Sequence, residues 1–447
     1  MKILLIRPSS YDGVGKLRRF KKAYMPFLTL PLIKALTPKN VEIRLIDEYL
    51  DEVDFKAQPD CVGITGLTSN IKRSYEIANK FRSKGVRVVL GGHHVTALPD
   101  EALQHADAVV IGEAENVWED LINDLYSKKL KRIYSCDTLF DLKNSIIPDY
   151  SSIDLKRYLS APFARGPLFP IQATRGCPFD CEFCSVASFF KGTFRTKPVS
   201  LILKEIKQLR ATYYFFVDDN IIGNPSYAKE LFAALVPLKI HWIGQFSTTI
   251  LKFPELVELA GKSGCTSAYI GIENLSDKNL KSVKKINKIN EYSDLLNMLN
   301  RNGIKPFVSM ILGMEDDDKD VFIRNLDFLI KNKAGKAYFY ILTPFPGTPL
   351  FERMNKENKI ITKDWNCYDG SRAVFKHSRL SCKELEDGLW YSYRRFFSLS
   401  QIFKRNFTYL FKNPLMYLVL LFYDMYFHSA ILKNTHPLSE GGKHRIN

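Results

Sequence analysis

The stretch Thr174-Arg175-Gly176-Cys177-Pro178-Phe179-Asp180-Cys181-Glu182-Phe183-Cys184 places three thiols at a C-x3-C-x2-C spacing. Thiolates hold iron–sulfur clusters, and a cluster held wholly by protein uses four of them. Three cysteines from one short loop hold a cubane and leave one iron without a protein ligand. Such an open position is where a metal site takes up a substrate or cofactor. Gly176 and Pro178 break regular structure, so the backbone can wrap around a cluster, and Phe183 is placed to shield it from water. A structural zinc site competes for the same residues. Zinc would want a fourth Cys or His nearby, and the nearest downstream histidine is His241, well outside the loop.

The other cysteines, Cys61, Cys136, Cys265, Cys367 and Cys382, are scattered. That pattern is no disulfide framework, and Met1-Lys2 leads straight into strand-like residues rather than a secretory signal. Both features predict a reducing, cytoplasmic setting. A chain of 447 residues, 46% hydrophobic and 25% charged, is globular and long enough for two or three domains. The net charge of +16 fits nucleic acid, anionic lipid or an anionic substrate. No RNA-binding signature is present, so no nucleic-acid partner is expected.

The cysteine loop, with its aromatic residue before the third cysteine, resembles the radical S-adenosylmethionine (radical SAM) superfamily. The resemblance implies a [4Fe–4S] cluster on Cys177, Cys181 and Cys184. Its open iron chelates S-adenosylmethionine (SAM), and one electron, from a flavodoxin or ferredoxin, splits SAM to a 5′-deoxyadenosyl radical.

The elements that must position this loop alternate. Residues 1 to 130 hold five short apolar runs, Lys2–Arg7, Val41–Asp47, Cys61–Thr65, Val86–Gly91 and Ala108–Gly112, with helical patterns between them. This predicts a doubly wound, Rossmann-like parallel sheet that binds ligands beyond the carboxyl ends of its strands. Those ends resemble the cobalamin-binding domain found before many radical SAM barrels. The resemblance implies that Thr65, Leu67, Gly91 and Gly92 line a groove for the cobalamin tail, with His93 touching the tail or lining the loop. The Asp-x-His-x-x-Gly loop of that domain is missing after Asp47, which implies cobalamin bound without histidine ligation. A flavodoxin-like scaffold without a corrinoid is the alternative.

Residues 131–167 read as a connector. From 168 to 350 six strand-like runs alternate with helical ones, which predicts a partial (β/α)6 TIM-type barrel with its active site at the carboxyl strand ends. By resemblance, Asp218 and Asp219 close the second strand and face the SAM amino group. A helix N-cap at Asp219 or Asn220 is the competing use. Likewise Glu273 closes the fourth strand toward the SAM ribose, Gly313 ends the adenine-binding fifth strand, and Arg175 positions the loop. Residues 351–447 form a helical cap. Its apolar run Leu415–Tyr423 is too short to span a bilayer and reads as either a buried or an interfacial helix. Nearby Phe403, Lys404, Arg405, Phe407 and Phe411 suggest peripheral membrane contact and a lipid-like or other small-molecule substrate.

The whole reads as a cobalamin-dependent radical SAM enzyme that methylates an unactivated carbon. An oxidative cyclase or rearrangement enzyme is one alternative, and a corrinoid carrier or sensor with an inactive barrel is another. A methylthiotransferase would need three further cysteines in the N-terminal domain, where Cys61 and Cys136 alone are available.

Overall fold

Ile3, Leu4, Leu5 and Ile6 are consecutive apolar residues, and all four are buried in the computed structural model. A strand with no polar face must be covered on both sides, which is the situation in a parallel sheet. The structure describes residues 1–12, 15–160, 164–412, 414–433 and 442–444. The first sheet contains β1 (Lys2–Arg7), β2 (Glu42–Asp47), β3 (Cys61–Thr65), β4 (Arg87–Gly91), β5 (Ala108–Ile111) and β6 (Ile133–Ser135). All are parallel, in the order β2-β1-β3-β4-β5-β6. Strand order reverses between β1 and β3, and the crevice at such a switch point is where a ligand fits. Helix α1 (Thr29–Leu36) packs on the face carrying Ile3, Leu5 and Val89, and α2 (Ile71–Arg82) covers the face carrying Leu4, Ile6 and Val62. Helix α3 (Trp118–Tyr126) lies on the α1 side. Strand β6 lies in the stretch read as a connector: Tyr134 is buried in the sheet's core and donates its hydroxyl to Asp124.

The second sheet begins with β7 (Phe169–Ile171), and its order is set by strands further along the chain. The expected first strand, Pro170–Thr174, breaks after Ile171. The chain leaves the sheet and forms a ribbon of β8 (Thr174–Gly176) with antiparallel β9 (Phe194–Thr196). The break has a visible cause: the backbone N–H groups of Ala173 and Thr174 turn to the carboxylate of Asp218 instead of a neighbouring strand. Between β8 and β9 lie the cysteines and the short helix α4 (Ser185–Phe189). Then β10 (Tyr213–Phe216), β11 (His241–Phe246), β12 (Cys265–Glu273), β13 (Lys305–Leu312) and β14 (Lys336–Ile341) complete six parallel strands, ordered β14-β13-β12-β11-β10-β7. Helices α5 (Val199–Leu209), α6 (Pro225–Leu235), α7 (Pro254–Lys262), α8 (Tyr292–Arg301) and α9 (Val321–Lys331) connect them.

Three longer helices follow the barrel, α10 (Cys382–Phe396), α11 (Leu399–Lys412) and α12 (Pro414–Leu432). Phe427 of α12 stacks under the ammonium of Lys336, the first residue of β14, so α12 closes the amino-terminal end of the barrel. Buried Asp424 accepts from Arg405 and Asn406 and pins α12 to α11. Among the described residues no helix is long and apolar enough to cross a membrane.

Candidate active site

The cysteine loop is held by backbone contacts before any side chain reaches a ligand. Gly176 has φ +86°, and a Cβ there would stand 2.0 Å from the Thr193 carbonyl oxygen, so only glycine fits before Cys177. Its N–H donates to Asp219 at 3.1 Å. Within the loop the Glu182 N–H donates to the Val283 carbonyl, and the Glu182 carboxylate takes a bidentate pair of bonds from Arg353 at 2.8 and 2.9 Å. Cys184 is the last residue before α4.

Cys177, Cys181 and Cys184 line one cavity of about 290 Å³ at the carboxyl end of the barrel. Asp219, Gln245, Tyr269, Glu273, Lys285, Ser309 and Tyr340 complete its polar wall. Burial pushes all three thiols up, Cys184 to about 11, against the pull of the Lys285 ammonium. A metal takes the thiolate, so loading this site releases protons. Among the described residues no three Cys, His, Asp or Glu side chains converge on a single ion. Thiols spread around a cavity suit the separate corners of a cluster, whereas a zinc ion needs its ligands in one coordination sphere. The donor set fits a [4Fe–4S] cluster with one open iron.

Glu273 enters this cavity because β12 bulges against β13: the register slips between Gly271 and Glu273, and Glu273 takes φ +69°. Bulges re-aim side chains, and a non-glycine residue held at positive φ needs the surroundings to fix it. Here Lys285 Nζ at 3.3 Å and Ser309 Oγ at 3.0 Å both donate to its carboxylate. Burial opposes the Lys285 charge, but Glu273 and the thiols hold its ammonium above the usual value. The strand-end pattern carries no signal for Lys285, which arrives on a loop. Ser309 has one weak signal, as the lone hydroxyl in an apolar strand.

Two of the expected SAM contacts sit elsewhere. Asp218 is fully buried and faces away from the cavity, its oxygens occupied by the N–H groups of Ala173 and Thr174. Burial pushes its carboxyl up to about 6. Gly313 lies apart from the cysteines, packed against Leu385 and Phe375, with its N–H donating to Asp317 at 2.9 Å. The first residue is a loop anchor and the second a turn. Neither Asp219 nor Asn220 caps α6; Asn224 does, accepting from the Tyr227 N–H.

A second cavity, of about 360 Å³, opens at the carboxyl ends of β3, β4 and β5. Thr65, Leu67, Gly91, Gly92 and His93 all line it, with Leu30, Ile33 and Trp118 as apolar walls. Gly92 has φ +107°, and a Cβ there would stand 2.6 Å from the Gly66 carbonyl oxygen. Gly91 and Gly92 thus bring bare backbone to the cavity wall, with Gly92 packed directly on the backbone of Gly66, a surface that fits a corrinoid tail. Leu67 is 56% exposed and His93 stacks on Phe189 with ring centroids 4.0 Å apart. Burial drops His93 to about 4, so its imidazole is neutral. His94 turns inward to Thr68 and Glu101.

A third cavity, of about 460 Å³, lies between the two sheets and is lined by Tyr11, Phe20, Tyr49, Phe345 and Tyr368 together with Arg7 and Arg18. Leu67 and His93 belong both to this cavity and to the glycine-lined one, and Tyr340 belongs both to it and to the cysteine cavity. The aromatic cavity therefore adjoins each of the other two.

Residues 171–329 match the Radical SAM superfamily and residues 35–122 match the B12 binding domain. The chain is 33% identical over 416 residues to a bacteriochlorophyllide d C-12(1)-methyltransferase of Chlorobaculum tepidum, spanning 90% of this chain and 89% of that protein. A bacteriochlorophyllide d C-8(2)-methyltransferase of the same organism is 30% identical, over 79% of this chain and 81% of that protein. A hopanoid C-2 methylase of Rhodopseudomonas palustris is 26% identical, over 76% and 66%. The solved structure of OxsB, a cobalamin-dependent S-adenosylmethionine radical enzyme, shares the fold with a TM-score of 0.68 at 15% identity, over 96% of this chain and 71% of that one.

Proposed function

The chain belongs to the cobalamin-binding radical SAM family, and from that premise we propose that it methylates an unactivated carbon of an apolar, ring-bearing small molecule. When bound, the cluster with SAM supplies a hydrogen-abstracting radical and the corrinoid supplies the methyl group. The protein's part is to hold, orient and exclude water. Cys177, Cys181 and Cys184 ligate the cluster. Glu273 accepts from the SAM ribose hydroxyls, and Asp219 and Gln245 face the rest of the nucleoside. Thr65, Gly91, Gly92 and His93 cradle the corrinoid tail, with Leu67 at the edge of the same groove. Aromatic side chains of the cavity between the sheets pack on the substrate, and a flavodoxin or ferredoxin brings the electron.

One observation carries this reading: the cysteine cavity and the glycine-lined cavity each share wall residues with one aromatic cavity, so a substrate there would lie beside both reagents. The relatives named as acting on bacteriochlorophyllides and hopanoids support a large, ring-bearing substrate. The test is an anaerobic incubation of reconstituted protein with SAM, hydroxocobalamin, a reductant and bacteriochlorophyllide d or a hopanoid. The expected product gains one CH2 unit as 5′-deoxyadenosine accumulates. A product that loses hydrogen without gaining carbon points to the cyclase alternative and overturns methylation.

The same reading includes peripheral contact with an anionic membrane from a cytoplasmic position. Phe403, Phe407 and Phe411 of α11 and Leu418, Phe422 and Met425 of α12 are all exposed, Phe411 to 76%. Their spacing of three and four residues puts each set on one helix face. Between residues 391 and 433 six lysines and arginines face a single aspartate. Basic side chains near anionic lipid contribute about 1 kcal/mol each, and the apolar face adds to this. Wild-type protein should sediment with anionic vesicles at low salt, and a Phe407→Glu/Phe411→Glu/Phe422→Glu variant should not. Equal sedimentation of the two, or dimerisation through this face in light scattering, removes the membrane from the reading.

A further inference from the structure

The three cysteines are bracketed by two residues that line the corrinoid cavity and not the cysteine cavity, Arg175 before Cys177 and Phe189 after Cys184. Arg175 is buried and fully engaged. Its Nη1 donates to Glu113 at 2.6 Å, its Nη2 to Glu115 at 2.5 Å and its Nε to Gln172 at 2.8 Å. Glu113 also accepts from both Nη atoms of Arg195, at 2.9 Å each, and from the N–H of Phe140. Arg195 stands directly opposite Arg175 on the β8–β9 ribbon. Two arginines of the barrel and two glutamates beyond the end of β5 therefore cancel in charge across the boundary between the sheets. Such a buried set is costly to break, because removing one member strands another. At the far end of the loop, α4 starts directly after Cys184, and its last residue, Phe189, stacks on His93 at 15° between ring planes.

Both ends of the cysteine loop are thus parts of the corrinoid cavity's wall. Packed walls switch between discrete arrangements rather than deforming smoothly, so a rigid ligand that fixes the wall also fixes the loop. We propose that Arg175 and Phe189 are positioning residues that couple the two cofactor sites, so that corrinoid binding and cluster assembly each favour the other. Thermodynamic linkage makes the coupling reciprocal. The inference rests on the corrinoid reading of the glycine-lined cavity.

The experiment is a hydroxocobalamin titration of the full-length protein followed by absorbance, once with the cluster reconstituted and once with iron removed. For the wild type the two dissociation constants should differ by about tenfold, tighter with the cluster. In Glu115→Gln and in Phe189→Leu the ratio should fall to near one at unchanged iron content after reconstitution, whatever either change does to the cobalamin affinity of the iron-free form. The Glu115 carboxylate accepts from Arg175, so its change spares the bonds that Glu113 makes to Arg195 and Phe140. Paramagnetic resonance of the reduced cluster gives a second readout: cobalamin should alter the wild-type spectrum and leave both variants' spectra as they are. A wild-type ratio of one, or a ratio kept by both variants, overturns the proposal. So does an equal loss of cobalamin affinity with and without iron, since that describes a cavity wall and nothing more. Wild-type protein that binds no hydroxocobalamin overturns the corrinoid reading and this inference with it.

Discussion

The cysteine cavity and the glycine-lined cavity hold their ligands by opposite means. The first is built from converging reactive side chains: three thiols, Glu273, Lys285, Asp219 and Ser309 around one space. The second is built by leaving side chains out, at Gly91 and Gly92, so that backbone and apolar walls meet a ligand directly. The difference predicts opposite weaknesses. The cysteine site fails when an atom is removed or exchanged, and the glycine site fails when an atom is added.

The largest effect tests the first half of that contrast. Changing Cys177, Cys181 or Cys184 to Ser keeps nearly the same shape and exchanges one sulfur for oxygen. Iron content should drop and 5′-deoxyadenosine formation should fall at least ~1000-fold, while hydroxocobalamin still binds. Normal SAM cleavage by any one of these variants breaks the comparison.

The mirror-image change is Gly92→Val. Its Cβ would collide with the Gly66 carbonyl oxygen, and a β-branched residue at φ +107° is strained by roughly 1–3 kcal/mol before any clash. Cobalamin affinity should fall about 100-fold, some 2.8 kcal/mol at ~1.4 kcal/mol per decade, with cluster iron intact, as read by absorbance and iron analysis. Equal loss of both cofactors would mean that the two sites do not fail separately.

Glu273→Gln sharpens the contrast within the cysteine cavity. The amide keeps the shape but loses the second acceptor and the charge facing Lys285. SAM affinity, measured by equilibrium binding to reconstituted protein, should weaken about tenfold, or ~1.4 kcal/mol, at unchanged iron content. Unchanged affinity would take the ribose role away from Glu273.

The smallest effect concerns His93. Its imidazole titrates near 4 in the folded chain against an ordinary 6.5. A depressed histidine stays neutral in the folded state while the unfolded chain takes up a proton, so its contribution is complete above 6.5 and is lost as the pH falls toward 4. The loss is at most a few kcal/mol, because His93 is only partly buried. His93→Phe should therefore flatten the decline of Tm between about pH 6.5 and 4.5 and leave Tm near pH 8 little changed. An unaltered decline would show that another group sets it.

What is legible in the sequence follows the same division. Cys177, Cys181 and Cys184 stand out because thiols at that spacing have few other uses, and Gly91-Gly92 because it ends an apolar run. Eleven strands of the two sheets are readable, because a continuous or alternating apolar run can bury its side chains only as a covered strand or a helix, and these runs are too short for helices. Strand β6, with one buried residue flanked by exposed Ile133 and Ser135, carries no such pattern. The carboxylates are harder. Asp218 and Asp219 are neighbours, yet one serves the backbone of Ala173 and Thr174 and the other reaches the cavity; adjacent residues on a strand end point opposite ways, and sequence does not say which is inward. Lys285 and the Arg175–Glu113 pair depend on contacts between distant segments, which no local pattern encodes.

Tyr340 is the side chain that forms a wall of both the cysteine cavity and the aromatic cavity. The compartment where a radical would be made and the compartment where a substrate would wait therefore share a wall at this residue. Neighbouring compartments favour a direct hand-over of a hydrogen atom across a common wall over the release of a free radical into solvent.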